Sequence, residues 1–485
     1  MQILLKFIYF KGIIYTIKNY SELKGSKGEF IMINYHHIHM IGIGGVSMSG
    51  IAEILFHKGY KVTGSDTSES EITMKLKKIG IPIVIGHNLQ NSQLADAVVY
   101  TAAVKPDDPE LINAKEHHVP TIERADFLGQ ITKMYENTIC ISGTHGKTTT
   151  TSMVSLCFLE ANLDPTIQVG AILKEIDGNN KIGKSSYFII EACEYVESFL
   201  KFFPKAEIIL NIDNDHLDYF KTFDHIKEAF VKYVKLLPAD GFLVVNGDDT
   251  NCLDLISHSK ATAITYGIQN TQADFVAKNL VANENGYYHF DVYKKGKLYG
   301  SIQLSIPGKH NVLNALACIS LCDAYGIDHA PIQKALAHFT GANRRFQYVG
   351  SYQTVRVFDD YAHHPTEIKS VANALKDMKY HESWAIFQPH TYSRTKNLLD
   401  DFAHALSLFD HVIINDIYAA RETNHYHVSA QTLVDKMHEF GKEEAIYMSD
   451  FEDIAQYLKK HVHPDDIILT IGAGTITHLG QHIVE

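Results

Sequence analysis

An apolar run that breaks into a glycine-framed turn and then into Lys-Thr-Thr-Thr leaves a chain few folds to choose from. Here it reads Ile139-Cys140-Ile141-Ser142-Gly143-Thr144-His145-Gly146-Lys147-Thr148-Thr149-Thr150. The pattern predicts a buried strand, a phosphate loop and the start of a helix. Glycines let backbone N–H groups approach phosphate oxygens, and a helix N-terminus adds partial positive charge at the same point. Lys147 would reach the terminal phosphates, and the Thr148 hydroxyl suits Mg²⁺. The common loop carries a glycine where Ile141 stands, so Gly-Thr-His-Gly-Lys-Thr is a shortened variant. A chance turn would not also be followed by the apolar series Met153, Val154, Leu156, Cys157 and Leu159.

Around this loop the chain divides into three blocks. The first, 32–133, has an apolar strand at His37–Ile41, then Gly42-Ile43-Gly44-Gly45-Val46-Ser47-Met48-Ser49-Gly50 and a helix from Ile51 to Lys58. Further strands are expected at Lys61–Asp66 and Ala97–Thr101. The second block, 134–342, opens with the phosphate loop and continues with strands at Tyr187–Ile190, Glu207–Asn211 and Phe242–Asn246. Its segment 273–306 alternates apolar and polar residues between turn glycines, which predicts antiparallel strands. The third block, 343–485, repeats the strand–helix alternation, with strands at Val355–Phe358, Trp384–Phe387, His411–Ile414 and Asp466–Thr470. Such alternation indicates an α/β fold of parallel, Rossmann-like sheets. Residues 1–31 are apolar but broken by Lys6, Lys11 and Lys18. We read them as an extension outside the fold, with Met32 as the functional start.

Charge and cysteine usage narrow the function classes. The 44 basic and 56 acidic residues give a net charge of −12, against a general nucleic-acid binder or a membrane-surface protein. No run is long enough for stable membrane insertion. The six cysteines form no Cys-x-x-Cys pair, so neither a zinc ribbon nor a redox motif is expected. Cys318 and Cys322 lie four apart in a helical pattern and read as buried thiols of a cytoplasmic protein.

Other candidate residues gather at predicted strand ends, where open α/β sheets collect their ligands. Gly44, Gly45 and Ser47 would hold a phosphate at a helix start, with Asp66 placed for a sugar hydroxyl; NAD, FAD or a nucleotide-sugar would all fit. Glu191 ends one strand and His216 follows another, in Asn211-Ile212-Asp213-Asn214-Asp215-His216, so Thr148, Glu191 and His216 are a candidate metal set. Asn311 and Asn314 open a helix and could read a base edge. Arg344 and Arg345 could clamp an anion. Asp360, Tyr361, His363 and His364 end one strand of the third block, and His390, Tyr392 and Arg394 follow the next. The paired histidines 36/37 and 117/118 read as surface.

Taken in order, GIGGVSMSGIAEIL, SGTHGKTTT, NIDNDHLD, PGKHNVLNALA, FTGANRRF, DDYAHHPTEI and FQPHTYSRT resemble the Mur ligases of peptidoglycan precursor synthesis over about 32–485. The resemblance is nearest to the branch that adds L-alanine to UDP-N-acetylmuramate. It implies a three-domain architecture: a Rossmann-like N-terminal domain for the UDP-sugar, a P-loop ATPase-like central domain, and a doubly wound C-terminal domain that closes over both. It implies ATP and Mg²⁺ as cofactors, an acyl-phosphate intermediate, and a monomer or homodimer. By this resemblance Gly143, Thr144, His145, Gly146, Lys147, Thr148, Thr149, Asn311, Arg345 and Asp360 bind ATP. Thr148, Glu191 and His216 hold the metal, while Gly44, Gly45, Ser47, Asp66 and Arg124 bind the UDP-sugar. Tyr361, His364 and Arg394 take the amino acid, and Lys147, His216, His364 and Arg394 carry the catalysis.

Departures from the family pattern are Ser47 in place of a glycine, Glu191-Ala192-Cys193-Glu194-Tyr195 in place of Glu-Ala-Asp-Glu-Ser, and Thr391 in place of an arginine. Phe230 falls where several later-acting relatives carry a carbamylated lysine. The nearest rival is a recycling ligase that attaches a preformed tripeptide to the same UDP-sugar. A nicotinamide-dependent dehydrogenase would leave the phosphate loop unexplained, and a nucleotide switch would leave the Tyr/His/Arg cluster unexplained.

Overall fold

The computed structural model describes residues 33–101, 103–420 and 422–485, without the side chains of Leu217 and Asp218. The extension at 1–31 and the start at Met32 therefore lie outside the described residues. Three sheets follow one another along the chain. The first is parallel, in the order Ile83–Ile85, Lys61–Asp66, His37–Ile41, Ala97–Tyr100, Thr121–Glu123. Its central strand is buried at all five positions, the mark of a strand covered on both faces. His37 is consequently not a surface residue: it is buried and bonded to Thr63 Oγ1 at 3.0 Å. His39 beside it pairs with Glu110 at 3.0 Å in the same interior. The first helix begins at Val46, not Ile51, because the chain turns directly from the glycine cluster into helix.

The second sheet has ten strands. Its parallel core places Asn137–Ser142 between Ala206–Ile209 and Tyr187–Glu191, with Thr166–Leu173 beyond. On the other side, past Phe242–Asn246 and Thr262–Gly267, lie the antiparallel strands Phe275–Ala282, Tyr287–Lys294 and Lys297–Pro307. Leu210 and Asn211 leave the sheet after Ile209 and pack against the phosphate loop. Helices Lys147–Glu160 and His310–Ala324 pack together on this sheet, and Cys157, Cys318 and Cys322 meet between them in full burial. Phe230 is also fully buried, edge-on to Phe199.

The third sheet runs in the order Gln347–Tyr352, Val355–Asp360, Ile467–Ile471, Ser383–Phe387, His411–Ile414, Ile446–Tyr447, parallel except for its first strand. It joins the central domain covalently near Asn343, whose N–H donates to Ile172 O. A second attachment lies at the hairpin turn beside Asn285, which forms an isolated bridge to Met378. There Lys379 N donates to Glu284 O at 2.9 Å, and Tyr288 Oη donates to Asp377 Oδ2 at 2.6 Å.

Candidate functional site

The phosphate loop leaves its strand at Ser142 and enters its helix at Lys147. Gly143 and Gly146 have φ of +129° and +86°, a region that costs L-residues strain. A side chain at Gly146 would also meet Asn314 Oδ1 at 2.8 Å. Asn211 fixes the loop from below: its Oδ1 accepts from His145 N at 2.8 Å and its Nδ2 donates to His145 O at 3.0 Å. The helix has no side-chain cap, so its first-turn N–H groups are left for an anionic ligand. The same is true of the helix Val46–His57, capped by Gly45.

Lys147 folds back over the loop. Its ammonium donates to Gly143 O at 2.6 Å and Thr144 O at 3.0 Å, and pairs with Glu194 Oε2 at 3.0 Å. Burial would lower its pKa, but Glu194 outweighs that and holds it raised. Glu194 is buried and extends the pair to His216, whose Nε2 lies 3.9 Å from Glu194 Oε1. His216 has φ +55° and packs on the Tyr195 ring. Thr148 Oγ1 donates to Glu191 Oε2 at 3.2 Å, and Arg345 Nη2 reaches the same hydroxyl at 3.4 Å. Burial pushes the Glu191 carboxyl up despite Gly170 N and Arg345. Thr148 and Glu191 are thus in direct contact, while His216 approaches the corner through Glu194.

A cavity of about 510 Å³ opens between the central and C-terminal domains, and His145, Gly146, Thr149, Asn311, Arg345 and Asp360 all line it. Asn311 and Asn314 are tied to each other at 2.9 Å, and Asn311 Nδ2 donates to Pro307 O. Asp360 accepts from Phe346 N and Ala362 N, both at 2.7 Å. Burial pushes its carboxyl up to about 6, against the pull of Arg345.

Besides Thr148, which meets Arg345, His145 links the loop to the C-terminal domain. His145 Nε2 lies 3.1 Å from Asp213 Oδ2, and its Nδ1 lies 3.8 Å from Glu367 Oε1. Burial opposes a charged imidazole here, but the two carboxylates prevail and raise its pKa to about 9. Glu367 is held well below the usual carboxylate range, His363, His145 and Arg345 overcoming its burial.

The amino-acid candidates lie on the C-terminal side. Tyr361 sits under Arg344 and Arg345, with guanidinium carbons 4.9 and 5.4 Å from its ring centre. His364 caps the helix Pro365–Leu375, its Nδ1 accepting from Thr366 N at 3.3 Å, which puts the ring proton on Nε2. Its ring lies 5.8 Å from that of His145, and burial holds its pKa down. Arg394 follows Thr391, which adopts φ +65° at the helix start. Together with His216 and His364, Arg394 keeps the buried Asp215 carboxyl low despite its desolvation.

On the N-terminal side, Gly44 N donates to Asp66 Oδ2 at 2.8 Å, so Asp66 braces the glycine turn. Arg124 Nη1 donates to Ser47 Oγ at 3.2 Å, and Gln168 Nε2 to Ser47 O at 3.0 Å. Ser47, Arg124 and Glu191 line one small pocket, and beside it a cleft of about 1020 Å³ reaches Thr148, Arg345 and Tyr361. Sequence reasoning missed Glu194, Glu367, Asp213 and Gln168. The His-Pro-Thr-Glu spacing at 364–367 could have signalled a helix cap, and Glu194 and Asp213 lie inside motifs already singled out; nothing local pointed to Gln168.

Residues 37–136 match the Mur ligase family catalytic domain, 141–322 the Mur ligase middle domain and 344–474 the Mur ligase glutamate ligase domain. A protein of Acetivibrio thermocellus named UDP-N-acetylmuramate–L-alanine ligase is 49% identical over 451 residues, covering 93% of this chain and 96% of that protein. One of the same name from Alkaliphilus metalliredigens is 50% identical, covering 92% and 97%. The crystal structure of a UDP-N-acetylmuramate–alanine ligase from Thermotoga maritima superposes with a TM-score of 0.77 at 32% identity, covering 92% of this chain and 98% of that one.

Proposed function

The chain belongs to the Mur ligase family, and from that premise we propose that it joins L-alanine to the lactyl carboxylate of UDP-N-acetylmuramate, driven by ATP. The observation that carries this is near-full-length identity of 49–50% to relatives bearing that name. In the reaction the carboxylate attacks the γ-phosphorus, the bond to the bridging oxygen breaks, and ADP leaves. The amine of L-alanine then adds to the acyl phosphate, loses a proton and expels phosphate, leaving an amide.

Each part of the site has a role in this reading. The loop backbone from Gly143 to Thr149, with Lys147, stabilises charge on the phosphoryl group as it transfers. For this, Lys147 must exchange Glu194 for the nucleotide. Asn311, Arg345 and Asp360 form the nucleotide side of the 510 Å³ cavity. Thr148 and the buried Glu191 offer paired oxygens, and burial disfavours the Glu191 carboxylate standing without a cation, a donor set that fits Mg²⁺. The ion would neutralise phosphate charge when bound, with His216 nearby. Gly44, Gly45, Ser47, Asp66 and Arg124 take the UDP-sugar. Tyr361, the Nε2–H of His364 and the Arg394 guanidinium face the amino acid, with Arg394 suited to its carboxylate. Among the described residues no helix is long and apolar enough to cross a membrane. The proposal includes a cytoplasmic location and a monomer or homodimer as working unit.

Phosphate release from ATP and Mg²⁺ with UDP-N-acetylmuramate, comparing L-alanine with the L-Ala-D-Glu-diamino-acid tripeptide, tests the reading. Release with L-alanine is expected; release only with the tripeptide would make the chain a recycling ligase.

A further inference from the structure

The C-terminal sheet carries a second gathering of ligand-bearing side chains, at the opposite end from the reactive cleft. His381 and Glu382 immediately precede the strand Ser383–Phe387, and His463 and Asp466 precede its parallel neighbour Ile467–Ile471. One ligand atom from each of the four lies within 4.8 Å of all the others. From this juxtaposition we propose that His381, Glu382, His463 and Asp466 form a tetrahedral site for a zinc-class divalent transition metal.

Charge and geometry both suit such an ion. Two carboxylates and two neutral imidazoles balance a divalent cation, so the bound site carries no net charge. Zinc takes nitrogen and oxygen ligands at about 2.0–2.1 Å, which sets neighbouring ligand atoms about 3.3 Å apart in a tetrahedron. His381 Nδ1 and Asp466 Oδ1 now lie 2.9 Å apart, so that edge needs to open only slightly as the metal replaces the shared proton. Imidazole donors select against Mg²⁺, which prefers oxygen.

Half of the cluster is fixed and half is free to adjust. Asp466 is fully buried, and its oxygens accept from Trp384 Nε1 at 3.1 Å, His463 N at 2.8 Å and Glu382 N at 3.1 Å. Glu382 Oε2 is held by His411 Nε2 at 3.0 Å, and the His411 ring stacks on Trp384. Such outer contacts orient metal ligands. The His381 side chain is 55% exposed, and His463 is exposed, which gives an ion its approach. The bound ion would clamp the starts of two adjacent strands, and it would stabilise the domain without entering the reaction.

The test uses the full chain, stripped of metal and kept in excess Mg²⁺ to occupy any oxygen-rich site. Zn²⁺ is titrated calorimetrically and Co²⁺ by visible absorption. Wild type is expected to bind Zn²⁺ at this site, to give the intense Co²⁺ band of tetrahedral coordination, and to unfold at higher temperature with Zn²⁺. His381→Ala and His463→Ala should each bind at least tenfold more weakly and lose the band, whereas His258→Ala, at an exposed histidine elsewhere, should keep both. No Zn²⁺ binding by wild type, unchanged stoichiometry and affinity in both variants, or only the weak band of octahedral Co²⁺ would overturn the proposal.

Discussion

Lys147 is paired with a buried carboxylate, because Glu194 holds its ammonium at 3.0 Å. That pair makes the lysine a charge in waiting, aimed by two loop carbonyls. Lys147→Ala is expected to lower phosphate release on the order of 100-fold or more, the scale of a lost transition-state donor; near-normal turnover would remove it from the phosphoryl site. Gly146→Ala should weaken ATP binding measured calorimetrically, since its φ of +86° and the Asn314 oxygen leave a methyl no room. His216→Ala should raise the Mg²⁺ concentration needed for half-maximal turnover, and an unchanged curve would take His216 out of the metal's surroundings. The loop was legible in the sequence because its chemistry is local: glycine conformations, a lysine and a hydroxyl within six residues. Glu194 was not legible as Lys147's partner, since they stand 47 positions apart and only the sheet brings them together.

Among the elements, the strand Ala206–Ile209 is one whose burial has an evident cost. Glu207 points into the central core with no solvent exposure, and neither of its carboxyl oxygens has a hydrogen-bond partner among the described residues. Burial pushes its pKa well up, so the fold favours its neutral form. A carboxyl raised by folding helps stability below its unfolded pKa near 4.5 and loses that contribution as pH rises. Glu207→Met should therefore stabilise the chain at neutral pH by about 1–3 kcal/mol in denaturant unfolding, with a smaller gain in acid. Strands flanked by turns and filled with Phe, Leu and Val, such as Phe242–Asn246, were legible from composition alone. Short or polar edge strands escaped: Gly178–Lys181 is Gly-Asn-Asn-Lys and pairs only because Thr166–Leu173 offers it an edge.

At the scale of the whole molecule, the contact between His145 and Glu367 makes closure of the C-terminal domain depend on charge. Against the pull of burial, Asp213 and then Glu367 raise the His145 pKa from 6.5 to about 9, so the share that Glu367 supplies to closure is complete below pH 6.5 and disappears as pH rises through about 9. Glu367 is held low, so its share is present above pH 4.5 and fades as pH falls below that. Solution scattering should accordingly show the most compact chain between these limits and expansion above pH 9. Glu367→Gln should lower the His145 pKa read from its ring proton NMR signals; an unmoved pKa would mean that Asp213 alone sets it.

Away from the reactive cleft, the C-terminal domain is fastened through the chain near Asn343 and again at the hairpin turn beside Asn285. A body fastened at one point can tumble in any direction; fastened at two, it can only swing about the line that joins them. An opening that keeps both points fastened is the movement of a door, with one angle to set, and it would carry Glu367 away from His145 and back along one arc.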